Sequence, residues 1–401
     1  MNFDRIRELV WEQTFQSSKL SSVLVMLEEV GKFISGRTPK SDELASIGDI
    51  PYFKVGDMNT EGNEKVLRIT SLFLKEKAGK TFPAGAIIYP KNGGAVFTNK
   101  RRILATESVI DLNTGGFVCG ERLNQAYTYM FFCGLDFRKI SKGTALPTID
   151  QKKLHQTKIP VPSLEEQSRI VTRLGEAFAE IDRAEKAYEE LQTLAGVLRG
   201  QILQKAIQGK LVPQRAEEGV VEQIGAAPEE VPFVIPESWK WCVLRGLVTP
   251  TKQKVPDERF TYIDVASIDG FKITNTKTLE AQDAPSRARK IVKDGMLLYS
   301  TVRPYLKKIS IASGLEGDVI ASTAFATFAC SEKIYNRYLF YVLVSEYMNA
   351  YVKSVQKGVA YPAINDRDFY SVYIPVPPMT EQVRIVARLE ELLKQVDKIR
   401  S

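Results

Sequence analysis

One histidine in 401 residues, four scattered cysteines and no long apolar run remove several classes of protein at once. His155 cannot complete a usual zinc set with Cys119, Cys133, Cys242 and Cys330, which include no CxxC spacing, so free thiols and no metal are expected. The longest apolar runs, "VLVML" at 23–27 and "LFYVLV" at 339–344, fall far short of the roughly 18 residues of a membrane span. The start "MNFDRIRELVWEQ" is too charged for a signal peptide, which points to the cytoplasm. Catalytic signatures are missing too. There is no GxxxxGK[ST] phosphate loop, no DPPY or NPPY tetrad of an amino-methyltransferase, and no nuclease carboxylate set with its lysine. "GGFVCG" at 115–120 lacks the pattern that sets a helix N-terminus against a phosphate. Any catalysis therefore belongs to a partner.

What is present is an ordinary globular balance, 44% hydrophobic and 26% charged, with length enough for two domains. The net charge of +7 and a pI near 9.0 point to a polyanionic partner. The excess lies in two islands. Residues 86–106 hold Lys91, Lys100, Arg101 and Arg102 with no acid; residues 285–310 hold Arg287, Arg289, Lys290, Lys293, Arg303, Lys307 and Lys308 against Asp294 alone.

A long repeat organises the chain. "IPVPSLEEQSRIV" at 159–171 returns as "IPVPPMTEQVRIV" at 374–386, an offset of 215, and "KGTALPTID" at 142–150 returns as "KGVAYPAIN" at 357–365. Over residues 142–174 the two copies share 16 of 33 positions, which marks two duplicated domains. His155 is matched by Tyr370, so it reads as structural.

Each copy turns helical after its prolines. Ser163 and Glu166 have capping-box spacing, whereas the second copy keeps Glu381 but has Pro378 in place of the serine. Ile170, Leu174, Ala177, Ile181, Ala184, Tyr188, Leu191, Ala195, Leu198 and Ile202 then form a heptad seam. A helix over 164–208 would be roughly 67 Å long. The second helix follows the seam through Ile385, Leu389, Leu392, Val396 and Ile399, then stops half way. Its missing half is assigned to the other end of the chain, the alternatives being a short N-terminal helix that caps its own domain or completion by another protomer: at an offset of 192, Ala195, Leu198 and Ile202 fall on Phe3, Ile6 and Val10, with one residue inserted near Ser18. The duplication is thus expected to be circularly permuted, with the termini together completing a second long helix antiparallel to the first.

Between the helices lie two units of mixed structure with short strands, the second preceded by an acidic linker at 213–238. "GAIIYP" and "GMLLYS" match, but the loops after them, "KNGGAVFTNKRR" and "TVRPYLKK", do not. Divergent loops on a common scaffold are where recognition is placed. Lys and Arg neutralise phosphates, while Asn, Arg, Gln and Ser reach base edges. The candidate DNA-binding residues are Lys91, Asn92, Asn99, Lys100, Arg101, Arg102, Arg287, Arg289, Lys290, Arg303, Tyr305, Lys307 and Lys308.

Two divergent units between similar helices, the doubled entry motif, "ILQKAIQGKLVPQ" closing the central helix and "IPESWKWCVL" opening the second unit resemble the specificity (S) subunit of type I restriction-modification systems over essentially the whole chain. The resemblance implies an α+β fold: two mixed α/β target recognition domains of the same fold, separated by two long antiparallel helices in a coiled coil with pseudo-twofold symmetry. On this sequence the parts are an N-terminal helix (1–20), a first recognition domain (21–162), the central helix (163–212), linker and second recognition domain (213–377) and a C-terminal helix (378–401). It also implies a non-catalytic subunit without cofactors of its own. Each domain reads half of a bipartite double-stranded DNA site and the helices fix the spacer. Methyltransferase subunits using S-adenosylmethionine dock on the helices, and restriction subunits using ATP and Mg join them; no membrane is involved. The competing reading is a stand-alone DNA-binding regulator or adaptor, which has no need of so much helix surface.

Overall fold

The computed structural model describes residues 2–76, 80–143, 146–358 and 361–400, with backbone alone at 19–21 and 400. Thr144, Ala145, Val359 and Ala360 of the repeated motif lie outside the described residues. The chain divides into two units, Met1–Ala187 and Tyr188–Ser401.

In unit 1, helix α1 (Phe3–Ser21) starts where Asn2 Oδ1 accepts from the Arg5 amide at 3.0 Å, an N-cap. It leads into β1 (Val23–Met26), β2 (Gly31–Ser35), β3 (Val66–Leu67), β4 (Ile87–Pro90), β5 (Arg102–Leu104) and β6 (Thr114–Cys119). Helix α2 (Gln125–Gly134), the short strands β7 (Ser141–Lys142) and β8 (Thr148–Ile149), β9 (Lys158–Val161) and the helix α3 (Leu164–Ile207) follow. The main sheet runs β2-β6-β4-β5-β3, and β1 pairs with β9 as a separate ribbon. The buried run of β4 obeys the twofold period of a strand. Ile87 and Tyr89 join the cluster around α2, while Ile88 faces a second cluster with Phe53 and Ile110 on a smaller four-stranded sheet.

Unit 2 repeats this plan with β10 (Lys240–Val243), β11 (Val248–Pro250), β12 (Leu297–Ser300), β13 (Ile309–Ile311) and β14 (Phe325–Cys330). Helices α4 (Asn336–Val344) and α5 (Glu346–Val355), strand β15 (Tyr373–Val376) and helix α6 (Met379–Arg400) complete it. Its sheet order β11-β14-β12-β13 matches β2-β6-β4-β5 strand for strand, and β10 pairs with β15 as β1 does with β9. Leu297 and Tyr299 face the helices and Leu298 faces away.

The entry motif explains itself in these contacts. Gln167 is fully buried; its Nε2 donates to Pro162 O and Arg122 O, each at 2.9 Å, and its Oε1 accepts from the Asn124 amide at 2.7 Å. Gln382 does the same to Pro377 O (2.9 Å), Lys333 O (3.1 Å) and the Tyr335 amide (2.7 Å). Tyr127 Oη donates to Pro160 O and Tyr338 Oη to Pro375 O, both at 2.8 Å. The repeated residues are thus bolts between helix, ribbon and globular part. Of the capping box, Ser163 Oγ accepts from the Glu166 amide at 3.2 Å, and the Glu166 carboxylate turns to Arg169. Pro378 does not delay the second helix: α6 starts at Met379, the counterpart of Leu164. Glu381 accepts from Trp239 Nε1 and Gln214 Nε2 instead, and burial raises its pKa. The acidic linker is likewise fastened, since Arg384 Nε donates to Glu218 Oε1 at 2.8 Å.

Within unit 1, α1 packs Phe15 into the cluster holding Ile170 and Leu174, and Arg7 meets Asp182 at 2.7 Å, so α1 and the first half of α3 run antiparallel. Within unit 2, Arg199 meets Asp397 at 2.9 Å and Gln214 meets Glu381, so the second half of α3 and α6 also run antiparallel. The uninterrupted heptad seam is corrected. Ile170, Leu174, Ala195 and Ile202 are buried, but Ala184, Leu191 and Leu198 are exposed, and Leu203, Ala206 and Ile207 take over the second core. Each half of α3 turns its apolar residues to its own unit's core rather than to one straight partner.

Candidate nucleic-acid interface

In each unit the loop after the second buried strand is built by the sheet beneath it. In unit 1 it joins β4 to β5. Lys91 N–H donates to Asn113 O at 2.7 Å, and the Ile149 amide donates to Lys91 O at 3.0 Å. Asn92 bridges Thr148, and Gly93 N–H donates to Pro147 O at 2.8 Å. Burial lowers the Lys91 pKa against the pull of Asp111. After a short turn over Gly94–Thr98, Asn99 takes a left-handed conformation, φ 53°.

Much of the unit 1 island then turns inward, which corrects its reading as a basic surface. Arg101 is 2% exposed; it donates to Phe132 O (3.1 Å), Leu135 O (2.9 Å) and Lys100 O (3.0 Å) and lies over the Phe137 ring at 3.3 Å. Burial pushes its pKa down to about 9, still above neutrality, so a charged guanidinium is sealed in by carbonyls. Arg102 is also buried, donating to Arg101 O and Met58 O at 2.7 Å. Asn99 Oδ1 accepts from Arg101 and from the Phe137 amide. These three are struts. Lys100 is half-buried and bonded to Asn59, leaving Lys91, Asn92 and Lys100 beside the exposed Phe97.

In unit 2 the loop between β12 and β13 is shorter and points its chemistry outward. Val302 bridges Ala363, and Arg303 N–H donates to Pro362 O at 2.7 Å. Arg303 and Lys307 are both left-handed, φ 48°, flanking the turn Pro304–Leu306. Non-glycine residues in that region are uncommon and gather at functional sites. Three of the four among the described residues lie in these two loops, with Phe271 the other. The Arg303 guanidinium sits over the Tyr361 ring at 4.8 Å, and Tyr305 is 52% exposed. Arg287 is exposed, and Arg289 bonds its neighbour's carbonyl at 2.7 Å. Three lysines are held by the chain itself. Lys290 is buried beside Asp366 (3.8 Å), Lys307 donates to Glu346 (2.8 Å), lowering the Glu346 pKa, and Lys308 donates to Ile268 O (2.6 Å). Lys290 is therefore corrected to an interior residue.

The loops therefore offer Arg303 and Tyr305 in unit 2, with Arg287 exposed on a separate segment, and a smaller, amide-rich edge in unit 1. Among the described residues no group of His, Cys, Asp or Glu could hold a metal ion, and no helix is long and apolar enough to cross a membrane. Sequence reasoning missed Tyr361, although its signal was present, since "KGTALP" and "KGVAYP" put Leu146 and Tyr361 at one repeat position.

Comparison with known proteins adds a family match, two relatives and two solved structures. The family model for the type I restriction modification DNA specificity domain matches residues 22–193 and 263–400. The EcoDI type I restriction enzyme specificity subunit of Escherichia coli is 24% identical over 274 residues, 64% of this chain; the match spans only 60% of that relative. The MjaVIII specificity subunit of Methanocaldococcus jannaschii is 25% identical over 395 residues, covering 92% of this chain and 85% of that one. Among solved structures, the HsdS subunit of Thermoanaerobacter tengcongensis superposes with a TM-score of 0.60 at 17% identity, covering 94% of this chain and 90% of the other. A chain from a type I R-M system assembly gives 0.62 at 19%, with 94% and 91% covered. At these identities the structures support the fold alone.

Proposed function

The chain belongs to the family of type I restriction-modification DNA specificity domains, and on that premise we propose that it reads DNA for such a system, each unit recognising one half of a split duplex target. The observation that supports this best is one scaffold built twice with different loops. Gly93 N–H to Pro147 O and Arg303 N–H to Pro362 O are the same hydrogen bond at repeat-related positions, yet the side chains they present differ. A fixed frame with exchanged loops suits two different half-sites.

In this reading the helices set the spacing. Arg7 and Arg199 are related by the offset 192, Asp182 and Asp397 by the offset 215, and both pairs form the same ion bridge. That coincidence supports the circular permutation, in which α1 supplies the half-helix that α6 lacks and the two together partner α3 as an antiparallel coiled coil. Half-sites about one helical turn apart then present themselves to a pseudo-twofold pair of domains. The exposed helix faces offer docking ground for methyltransferase subunits, which bring S-adenosylmethionine; restriction subunits bring ATP and Mg. This chain contributes recognition and no catalytic group.

The test is co-expression with a methyltransferase subunit from its own genome in a host lacking adenine methylation, followed by mapping of N6-methyladenine. A single split motif with a constant gap is expected, and grafting 91–101 in place of 301–308 should change one half only. Methylation with no motif, or a motif in one piece, overturns the reading; duplex binding without methylation favours a stand-alone regulator.

A further inference from the structure

A second, unvaried element lies against each variable loop. In unit 1 the hairpin β7–β8 pairs Lys142 with Thr148, and in unit 2 Lys357 pairs with Ala363, the same register at an offset of 215. Gly143 (φ 82°) and Gly358 (φ 88°) make the same left-handed turn, where a Cβ would press on the carbonyl oxygen three residues on. The residue before the proline is then thrust outward: Leu146 is 78% exposed and Tyr361 is 70% exposed. A lone exposed apolar side chain is ordinary. Two at one repeat position, each tied by the next residue's carbonyl to the base of the variable loop, are not accounted for by packing.

Their surroundings name the partner. Arg303 lies over the Tyr361 ring, Lys353 and Lys357 are exposed, and the flanking acids Glu346 and Asp366 are already met by Lys307 and Lys290. Lys142 stands at the same hairpin position in unit 1 as Lys357 in unit 2, largely exposed although paired with Asp150. An exposed ring under a guanidinium, with exposed lysines on the same segment, suits a polyanion with stackable faces. We infer that Leu146 and Tyr361 are the duplex-contact tips of the two units: they pack against DNA in each half-site whatever its sequence, and leave base identity to loops 91–101 and 301–308. This rests on the DNA-reading role proposed above.

The tips sit on backbone rather than in a core, so their variants should keep the fold. Full-length protein and its Leu146→Ala, Tyr361→Ala and Tyr361→Leu variants would be titrated with a labelled duplex pool of random core sequence, and the retained duplexes sequenced. Each alanine variant is expected to bind roughly tenfold more weakly with an unchanged enriched sequence, and Tyr361→Leu, which places unit 1's residue in unit 2, to retain most of the affinity. Alanine variants that bind like the wild type, or that alter the enriched sequence, overturn the inference while the DNA-reading role stands. A wild-type protein that retains no duplex overturns both.

Discussion

The loop over 91–101 and the loop over 301–308 leave the same strand of the same sheet and treat their cations in opposite ways. Unit 1 draws Arg101 and Arg102 inside and closes carbonyls around them. The unit 2 loop, three residues shorter, instead holds Arg303 over an exposed ring. A basic island in sequence is therefore not a basic surface; whether a guanidinium faces solvent depends on whether carbonyls from other elements close around it. The residues common to both units hold the frame, and the loops that differ place their cations differently, inward in unit 1 and outward in unit 2.

The sharpest way to break that division is to cut the shared bolts. Gln167→Ala and Gln382→Ala should each destabilise their own unit by about 3 kcal/mol, because each orphans an amide and two carbonyls. Hydrogen exchange under increasing urea, read separately at the Asn124 and Tyr335 amides, checks it; a large effect in one unit alone would mean the bolt is shared in form only. Next comes the contrast between the arginines. Arg101→Gln should cost unit 1 about 2 kcal/mol or more, since its carbonyl partners stay buried. Arg303→Gln should change thermal stability by no more than about 0.5 kcal/mol and instead reduce the salt slope of duplex binding by about 1. Equal stability losses would erase the distinction between strut and reader.

A third effect depends on pH. Arg384 holds the Glu218 carboxyl below its ordinary 4.5, so the contact contributes its full stabilisation above that value and loses it as pH falls through the depressed native one. Glu218→Gln should lower the melting temperature of unit 2 at pH 7, and the gap from wild type should close as pH falls through the depressed native value. The smallest effect sharpens the permutation. Arg7→Ala, which loses both Asp182 and Glu185, should cost slightly more than Arg199→Ala, which loses Asp397 alone, each under about 1 kcal/mol and both suppressed by salt.

How much of this was legible follows from the kind of signal. The repeat, the positions of the long helices and the strands around "GAIIYP" and "GMLLYS" could be read because periodicity and duplication are properties of the string. The tethering role of Glu381 could not, because the indole that binds it, Trp239, lies 142 residues away. The seam failed at Leu191 and Leu198 because heptad spacing states that a face is apolar, not which neighbour covers it. Arg101, Arg102 and Lys290 were misread for the same reason: charge is counted in sequence, but burial is decided by Phe132, Met58 and Asp366 arriving from elsewhere. Tyr361 was legible and overlooked, as a position conspicuous only when its copy is laid beside it.

Along α3, residues 175–194 contain no buried side chain, and of that stretch only the half-buried Phe178 packs against a core. For a gene this is a wide landing zone. A crossover anywhere in those twenty codons that keeps the reading frame joins one complete fold to another without disturbing the interior of either. Under the DNA-reading role proposed above, one such exchange would replace a single half-site and leave both folds intact.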